Sequence, residues 1–174
     1  METTMNKREG KIIFDLDGVL AEFREASSVE ELFEEGYFLN LETIKSSIAT
    51  IKLLLRTCPE RVYIASSYLE SSDYAYSEKL EWIEKFIPEM DLRQVLLIPS
   101  SLTKEEYLQA FFGGISENDL LIDDYSENLK CFSGIPVKFV NPINNRSGKS
   151  YENKISYSDN PILNAFRLQL MASI

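Results

Sequence analysis

The stretch that decides the fold is residues 12–20, Ile-Ile-Phe-Asp-Leu-Asp-Gly-Val-Leu. Aspartate is depleted in strand interiors, but at the end of a buried parallel strand it faces the crevice in which open α/β sheets bind ligands. Asp15 and Asp17 lie so close in sequence that their charges repel unless a cation lies between them. Such a pair can bind a hard cation like Mg²⁺ together with a substrate phosphate, and a carboxylate can also be a nucleophile. The stretch therefore predicts a ligand site at the edge of a parallel sheet.

Four further apolar runs predict the other strands, because each is short, mostly aliphatic or β-branched, and bounded by polar or breaker residues. They cover residues 61–65, 95–98, 120–122 and 136–140. Helical spacing of apolar residues alternates with them, over 41–55, 76–87, 102–112, 125–132 and 162–171, with Asn40 as a plausible N-cap of the first helix. Polar residues 144–160 are expected to form a loop. The alternation predicts an α/β protein, a three-layer α/β/α sandwich of Rossmann-like form around a parallel sheet.

The connection between the first two strands is long, about forty residues, which is more than one crossover helix requires. We interpret the acidic, aromatic residues 22–40 as a small helical insertion that leaves the sheet beside the two aspartates. The expected division is a core of residues 1–20 and 59–174 and a cap of residues 21–58, whose last helix can belong to either unit. Phe23, Tyr37 and Phe38 either form the small core of this insertion or stack on a substrate base.

Charge and composition exclude several functions. The formal net charge of −10 argues against a nucleic-acid polymer as partner, but not against a small phosphate ester bound through a metal. No apolar stretch is long enough to cross a bilayer, and no signal peptide is expected. We expect a cytoplasmic protein without a membrane partner, in which Cys58 and Cys131 are reduced and buried. With no histidine in the chain, an enzyme here must rely on carboxylates, hydroxyls, lysine and a metal.

The side chains that can carry chemistry collect at strand ends, which share one edge of a parallel sheet. They are Asp15 and Asp17 after the first strand, Ser66 and Ser67 after the second, Lys104 after the third, and Asp123 and Asp124 after the fourth. This set supplies a nucleophile, a metal clamp and a positive donor, which are the parts that phosphoryl transfer needs.

Plainer interpretations exist for each of these residues. Asp15 and Asp17 could be exposed turn residues, and Ser66 an ordinary strand-end residue. Asp123 and Asp124 could cap the helix that follows them. Lys104 could be a solvated lysine in a first helical turn, in which case Lys79 or Lys130 would be the lysine of the site.

Taken together, the four motifs resemble those of the haloacid dehalogenase superfamily of phosphohydrolases. Residues 15–20 resemble its first motif, Ser66 its second, Lys104 its third, and residues 121–124 its fourth. Within the superfamily, residues 15–23 are similar to the opening of the 5′(3′)-deoxyribonucleotidase family of cytosolic type C, including an aromatic residue where Phe23 stands. The serine pair and the small insertion after the first strand also resemble that family.

The resemblance implies a role for each residue. Asp15 attacks phosphorus and becomes the aspartyl-phosphate, and Asp17 protonates the leaving alcohol and later activates water. Mg²⁺ is held by Asp15, the backbone carbonyl of Asp17, and Asp124, with Asp123 acting through water or behind the ligands. The substrate is contacted by four residues, Ser66, Ser67, Lys104 and Phe23.

The sequence therefore favours a Mg²⁺-dependent phosphomonoesterase that acts on a small phosphorylated metabolite, here a nucleoside monophosphate. The first alternative is the same chemistry on another small ester, such as a sugar phosphate. The second is a catalytically silent binding protein that keeps the fold, against which the intact set of aspartates and lysine argues. The oligomeric state stays open.

Overall fold

The computed structural model describes residues 9–24, 26, 28–144 and 151–173, which contain one sheet of six strands. The strands are β1 (Ile12–Phe14), β2 (Val62–Tyr68), β3 (Val95–Pro99), β4 (Leu120–Asp123), β5 (Ile135–Val140) and β6 (Lys154–Ser156). Their order across the sheet is β3-β2-β1-β4-β5-β6, and every pairing is parallel. The carboxyl end of the central strand β1 therefore lies between those of β2 and β4.

Helices follow the strands in the order that a doubly wound sheet requires. The α-helices are α1 (Lys45–Thr57), α2 (Ala75–Phe86), α3 (Lys104–Phe112), α4 (Ser126–Cys131) and α5 (Pro161–Met171). Short 3₁₀ helices cover Glu30–Phe33, Pro59–Arg61 and Leu92–Gln94. Across the described part of the chain, no helix is both long and apolar enough to cross a membrane.

The side chains of β1 alternate between two hydrophobic clusters, one on each face of the sheet. Ile12 and Phe14 pack with residues of α1, α2 and α5, whereas Ile13 packs with residues of α3 and α4. All three side chains are fully buried, and each such burial is worth about 1.5–3 kcal/mol. Helices thus cover both faces, and the predicted α/β/α sandwich is confirmed.

The structure corrects two predictions about the elements. Asn40 does not cap α1, which begins at Lys45 after Ile44. The chain before it is extended instead, because the Ile44 N–H donates to the Leu20 carbonyl (2.8 Å) and Thr43 forms a bridge with Ala21. Residues 144–160 are not all loop, since β6 extends the sheet beside β5; residues 145–150 lie outside the described part. Strand β6 contains one buried apolar residue, Ile155. One such residue is too few to show the alternation of apolar and polar residues that predicts a strand.

The segment between β1 and α1 contains less helix than its sequence suggests. Its described residues form the 3₁₀ helix Glu30–Phe33 and a series of turns, and they contain no α-helix. The buried apolar residues of α1 pack in the same cluster as Ile12 and Phe14, and α1 packs against α5. The expectation for the cysteines was half right, because Cys58 is buried and Cys131 is exposed.

Candidate active site

A tight turn after β1 presents the two aspartates of the first motif. The Asp15 N–H continues the sheet by donating to the Ile122 carbonyl of β4 (2.9 Å), and the Leu16 carbonyl then accepts the N–H groups of residues 19–21. Gly18 has a φ of +77°, and a Cβ atom there would lie 2.4 Å from Oδ2 of Asp124. Only glycine therefore allows this turn to approach the end of β4 so closely.

Three carboxylates meet beside this turn. Asp15, Asp123 and Asp124 can each offer one oxygen such that all three oxygens lie within 4.8 Å of one another. The buried ammonium of Lys104, from the first turn of α3, lies 2.8 Å from Oδ1 of Asp15 and 2.6 Å from Oδ2 of Asp123. Its rival Lys130 forms an exposed ion pair with Glu127 instead.

Asp123 is held by several donors. Besides Lys104, it accepts hydrogen bonds from the N–H of Tyr125 (2.7 Å) and the side-chain amide of Asn128 (2.9 Å). The bond to Tyr125 orders the turn before α4, although the N-cap of that helix is Tyr125 itself. The N-cap interpretation of the Asp123-Asp124 pair is thus wrong, and Asp123 instead links α3, β4 and α4.

Burial and the excess of negative charge shift the pKa values of the groups in this cluster. Burial raises the pKa of Asp15 to about 8 in spite of Lys104, with Asp123 and Asp17 raising it further. Burial, together with Asp123, also raises the pKa of Asp124 to about 6. Burial opposes the charge of Lys104, but Asp123 and Asp15 outweigh it and raise the pKa of its ammonium. Three carboxylates around one ammonium form an oxygen-rich donor set with net negative charge, which suits a hard divalent cation.

The carboxylate of Asp17 lies apart from this triad and pairs with Lys79 of α2. The buried Lys79 ammonium contacts Oδ2 of Asp17, Oγ of Ser66 (3.1 Å) and the carbonyl of Ser67 (2.7 Å). From the sequence, Lys79 is expected at the site only as an alternative to Lys104. A signal for it was present, because Ala75, Lys79 and Trp82 recur at helical spacing along the buried face of α2.

The two serines occupy different environments. Strand β2 continues to Tyr68, so both serines lie within the strand and not after it as expected. The Ser66 side chain is fully buried beside Lys79, with its Oγ 3.5 Å from Oδ2 of Asp17. Ser67 lines a cavity of about 460 Å³ together with Asp15, Asp17 and Lys104. The contact of Ser66 with a phosphoryl oxygen stays a prediction.

A second cavity of about 450 Å³ also lies beside the aspartates. Phe23, Asp124 and Tyr125 line it with Asp15 and Asp17. Phe23 is 48% exposed and also lines an adjoining space of about 410 Å³.

Tyr37 and Phe38 of the insertion do not offer a stacking surface. Tyr37 and Phe38 are buried in the main hydrophobic cluster, and the Tyr37 hydroxyl donates to the Arg24 carbonyl (2.6 Å). Of the two interpretations given for these residues, packing in a core or stacking on a substrate base, Tyr37 and Phe38 follow the first. Phe23 lines a cavity beside the aspartates, whereas the Phe38 ring packs 4.7 Å from Nζ of Lys79.

This fold and this site agree with the resemblance of the motifs to the haloacid dehalogenase superfamily of phosphohydrolases. A solved structure with a similar fold is the D,D-heptose 1,7-bisphosphate phosphatase of Burkholderia thailandensis, to which the chain is similar with a TM-score of 0.56. The similarity covers 93% of this chain and 98% of that one at 12% sequence identity. It supports the fold.

Sequence comparison identifies the family. Residues 26–163 match the model of the family described as 5′ nucleotidase, deoxy (pyrimidine), cytosolic type C protein. The chain belongs to this family and is accordingly a phosphoric monoester hydrolase. It is also 25% identical over 159 residues to Staphylococcus aureus proteins from four strains, covering 91% of this chain and 75% of theirs. Their name, 5′(3′)-deoxyribonucleotidase, is itself a provisional assignment. The resemblance found in the motifs is thereby confirmed.

Proposed function

We propose that this chain is a Mg²⁺-dependent phosphomonoesterase that acts on nucleoside monophosphates through an aspartyl-phosphate on Asp15. The observation that carries the proposal is the buried Asp15 carboxylate, bound to Lys104 and lying within the three-aspartate cluster. A nucleophile needs to be held and activated, and this arrangement provides both a positive partner and a place for a cation.

The first half of the reaction forms the aspartyl-phosphate. An oxygen of Asp15 forms a bond to phosphorus, the phosphorus–oxygen bond to the leaving alcohol breaks, and Asp17, which is protonated at this stage, gives its proton to the alcohol oxygen. Lys104 neutralises charge on Asp15 and on the transferred phosphoryl group. Lys79 holds the Asp17 carboxylate beside β2, so that it lies next to the cavity which admits the substrate.

The second half restores the enzyme. Asp17 takes a proton from a water molecule, the water oxygen bonds to phosphorus, and the bond between phosphorus and Asp15 breaks to release inorganic phosphate. Asp17 thus serves as acid and then as base. Ser66 and Ser67 are assigned to phosphoryl oxygens, Ser67 from the wall of the cavity.

The proposed ligands of Mg²⁺ are the carboxylates of Asp15 and Asp124 and the carbonyl of Asp17. When bound, the ion supplies positive charge that stabilises the phosphoryl group in the transition state. Asp123 is assigned to holding Lys104, because its oxygens already accept three hydrogen bonds.

Substrate selection is assigned to the segment between β1 and α1. The family description names a deoxy (pyrimidine) 5′ nucleotidase, and Phe23 offers a half-exposed ring beside the aspartates. We therefore propose a core of residues 1–20 and 59–174 and a cap of residues 21–58, whose last helix, α1, packs against the core. The protein is placed in the cytoplasm, in keeping with the cytosolic type of the matching family.

The test is phosphate release from a panel of esters, with deoxynucleoside and ribonucleoside monophosphates, sugar phosphates and a small aryl phosphate. We expect release that requires Mg²⁺, is abolished by a chelator and is fastest on nucleoside monophosphates. Trapped protein mapped by mass spectrometry should carry the phosphoryl group on Asp15, and Asp15→Asn should abolish turnover. Full activity after exhaustive chelation, or a phosphoryl group on Asp17 or Ser66, would contradict the mechanism. A preference for sugar phosphates would instead assign the enzyme to sugar phosphates as its substrate class.

A further inference from the structure

A buried asparagine just beyond β5 reaches into the metal-ligand cluster. Asn141 is 2% exposed, and its side-chain nitrogen Nδ2 donates to Oδ2 of Asp124 (2.8 Å) and to the carbonyl of Gly18 (3.0 Å). Its Oδ1 accepts hydrogen bonds from the N–H groups of Ile143 (3.1 Å) and Asn144 (2.9 Å). The amide therefore uses its two donors and accepts two hydrogen bonds, which is its full capacity.

This pattern fixes the orientation of the amide. If the amide were turned over, its oxygen would face the Asp124 carboxylate and the Gly18 carbonyl, while its nitrogen would face two N–H donors. An aspartate at this position would likewise place a carboxylate against Asp124. Only a neutral side chain with donors on one side and an acceptor on the other satisfies all four neighbours of Asn141.

The hydrogen bond from Asn141 restrains the Asp124 carboxylate, which the neighbouring carboxylates repel. Asp124 lies near Asp123 and Asp15, and like charges so close repel each other. The absence of a side chain at Gly18 leaves Asp124 room to approach the β1 turn. Asn141 binds both partners at once, so it ties the Asp124 carboxylate to the same turn that carries Asp15 and Asp17.

We propose that Asn141 is the positioning residue of the metal centre, holding Asp124 in the orientation in which it ligates the divalent ion. The inference rests on the proposed function, in which Asp124 is a ligand. Partners that orient metal ligands raise metal affinity without touching the metal, and their loss costs about 10- to 100-fold in affinity. Asn141 acts in this way on Asp124 and does not line either of the two cavities described beside the aspartates.

Asn141 also has a role in the local fold, which the experiment must separate. Its own N–H donates to Oδ1 of Asn144 (2.9 Å), so the two asparagines order the turn after β5. A purely structural residue would lower the melting temperature equally with and without Mg²⁺. A positioning residue would in addition raise the Mg²⁺ concentration that gives half of the Mg²⁺-induced rise in melting temperature.

The experiment is thermal unfolding of the full chain over a series of Mg²⁺ concentrations, with calorimetric titration of Mg²⁺ as a second measurement. The variants are Asn141→Ala and Asn141→Leu, of which the second keeps nearly the original side-chain size and so protects against collapse of the turn. The matched control is Asn164→Ala, which removes an equally buried asparagine on α5, away from the aspartates.

We expect both Asn141 variants to require about 10- to 100-fold more Mg²⁺ for the half-maximal effect, and the Asn164 variant to match the wild type. Activity at saturating Mg²⁺ should return toward the wild-type value. An unchanged half-maximal concentration in a folded Asn141 variant would overturn the inference. A wild-type chain that shows no response to Mg²⁺ would instead overturn the metal-dependent function itself.

Discussion

The metal-free protein should lose stability as the pH rises from 5.5 to 8, and Mg²⁺ should restore it. The cause is the group of aspartates at the end of β1 and β4, where burial and neighbouring charge raise the pKa of Asp15 to about 8 and that of Asp124 to about 6. Because the chain has no histidine, few other side chains titrate in this window. A change in stability there reports mainly these carboxyl groups.

The sign follows from proton binding. The folded chain binds these protons more tightly than the unfolded chain, in which an aspartate has a pKa of about 3.9, so ionisation favours unfolding. The contribution of the two protonated carboxyl groups to the free energy of unfolding is fully present below pH about 4. It is lost as the pH rises through 6 for Asp124 and through 8 for Asp15. Between pH 5.5 and 8, Asp124 accounts for about 1 kcal/mol of lost stability and Asp15 for up to about 3 kcal/mol.

Such losses are measurable as melting temperatures. A change of 1 kcal/mol corresponds to about 2–4 °C in a chain of this size, so the metal-free protein should melt roughly 5–15 °C lower at pH 8 than at pH 5.5. Mg²⁺ at about 100 times its dissociation constant adds about 2.7 kcal/mol, and more of this gain appears at pH 8 because ligands must be deprotonated to bind.

The assay is thermal unfolding at several pH values, with a chelator or with excess Mg²⁺. Asp124→Asn is the informative variant, since it removes one titrating group and one proposed ligand, and it should show both a shallower loss with pH and a weaker response to Mg²⁺. A melting temperature of the metal-free protein that stays flat from pH 5.5 to 8 would refute the reasoning.

Three further predictions concern the groups around Asp15. Asp17→Asn should lower kcat by about 10²- to 10⁴-fold with little change in KM for a small aryl phosphate; an unchanged kcat would remove the acid–base role from Asp17. Lys79→Met should destabilise the fold by about 3 kcal/mol in chemical unfolding, because it leaves the Asp17 carboxylate without its buried cation. Lys130→Met is its control and should have no comparable effect on stability, since its ion pair is exposed; equal effects would contradict the role of Lys79. Phe23→Ala should lower kcat/KM for nucleoside monophosphates by about 5- to 100-fold, the equivalent of about 1–3 kcal/mol of stacking. Hydrolysis of the aryl phosphate should hardly change, and an equal loss on both substrates would leave Phe23 a packing residue only.

The sequence alone determined the features that depend on neighbouring residues. Buried parallel strands are continuous apolar runs, so β1 to β5 were visible, as was the turn of residues 15–20 after the first of them. Because the carboxyl ends of parallel strands share one edge of a sheet, the sequence alone predicts that the polar residues at these ends form one site. The approach of Lys104 to Asp15 agrees with that expectation.

Contacts between distant residues were decided only by the tertiary structure. Strand β6 exists because β5 offers it an edge, and α1 starts late because residues 43 and 44 pair with the β1 turn. Lys79 lies at the site because helix α2 packs beside Asp17. Asn141 lies there because the end of β5 is next to Asp124. Helical spacing places Lys79 on the buried face of α2, but nothing in the sequence shows which partner Lys79 or Asn141 contacts, since burial of a polar side chain depends on whether a partner from elsewhere in the chain satisfies it.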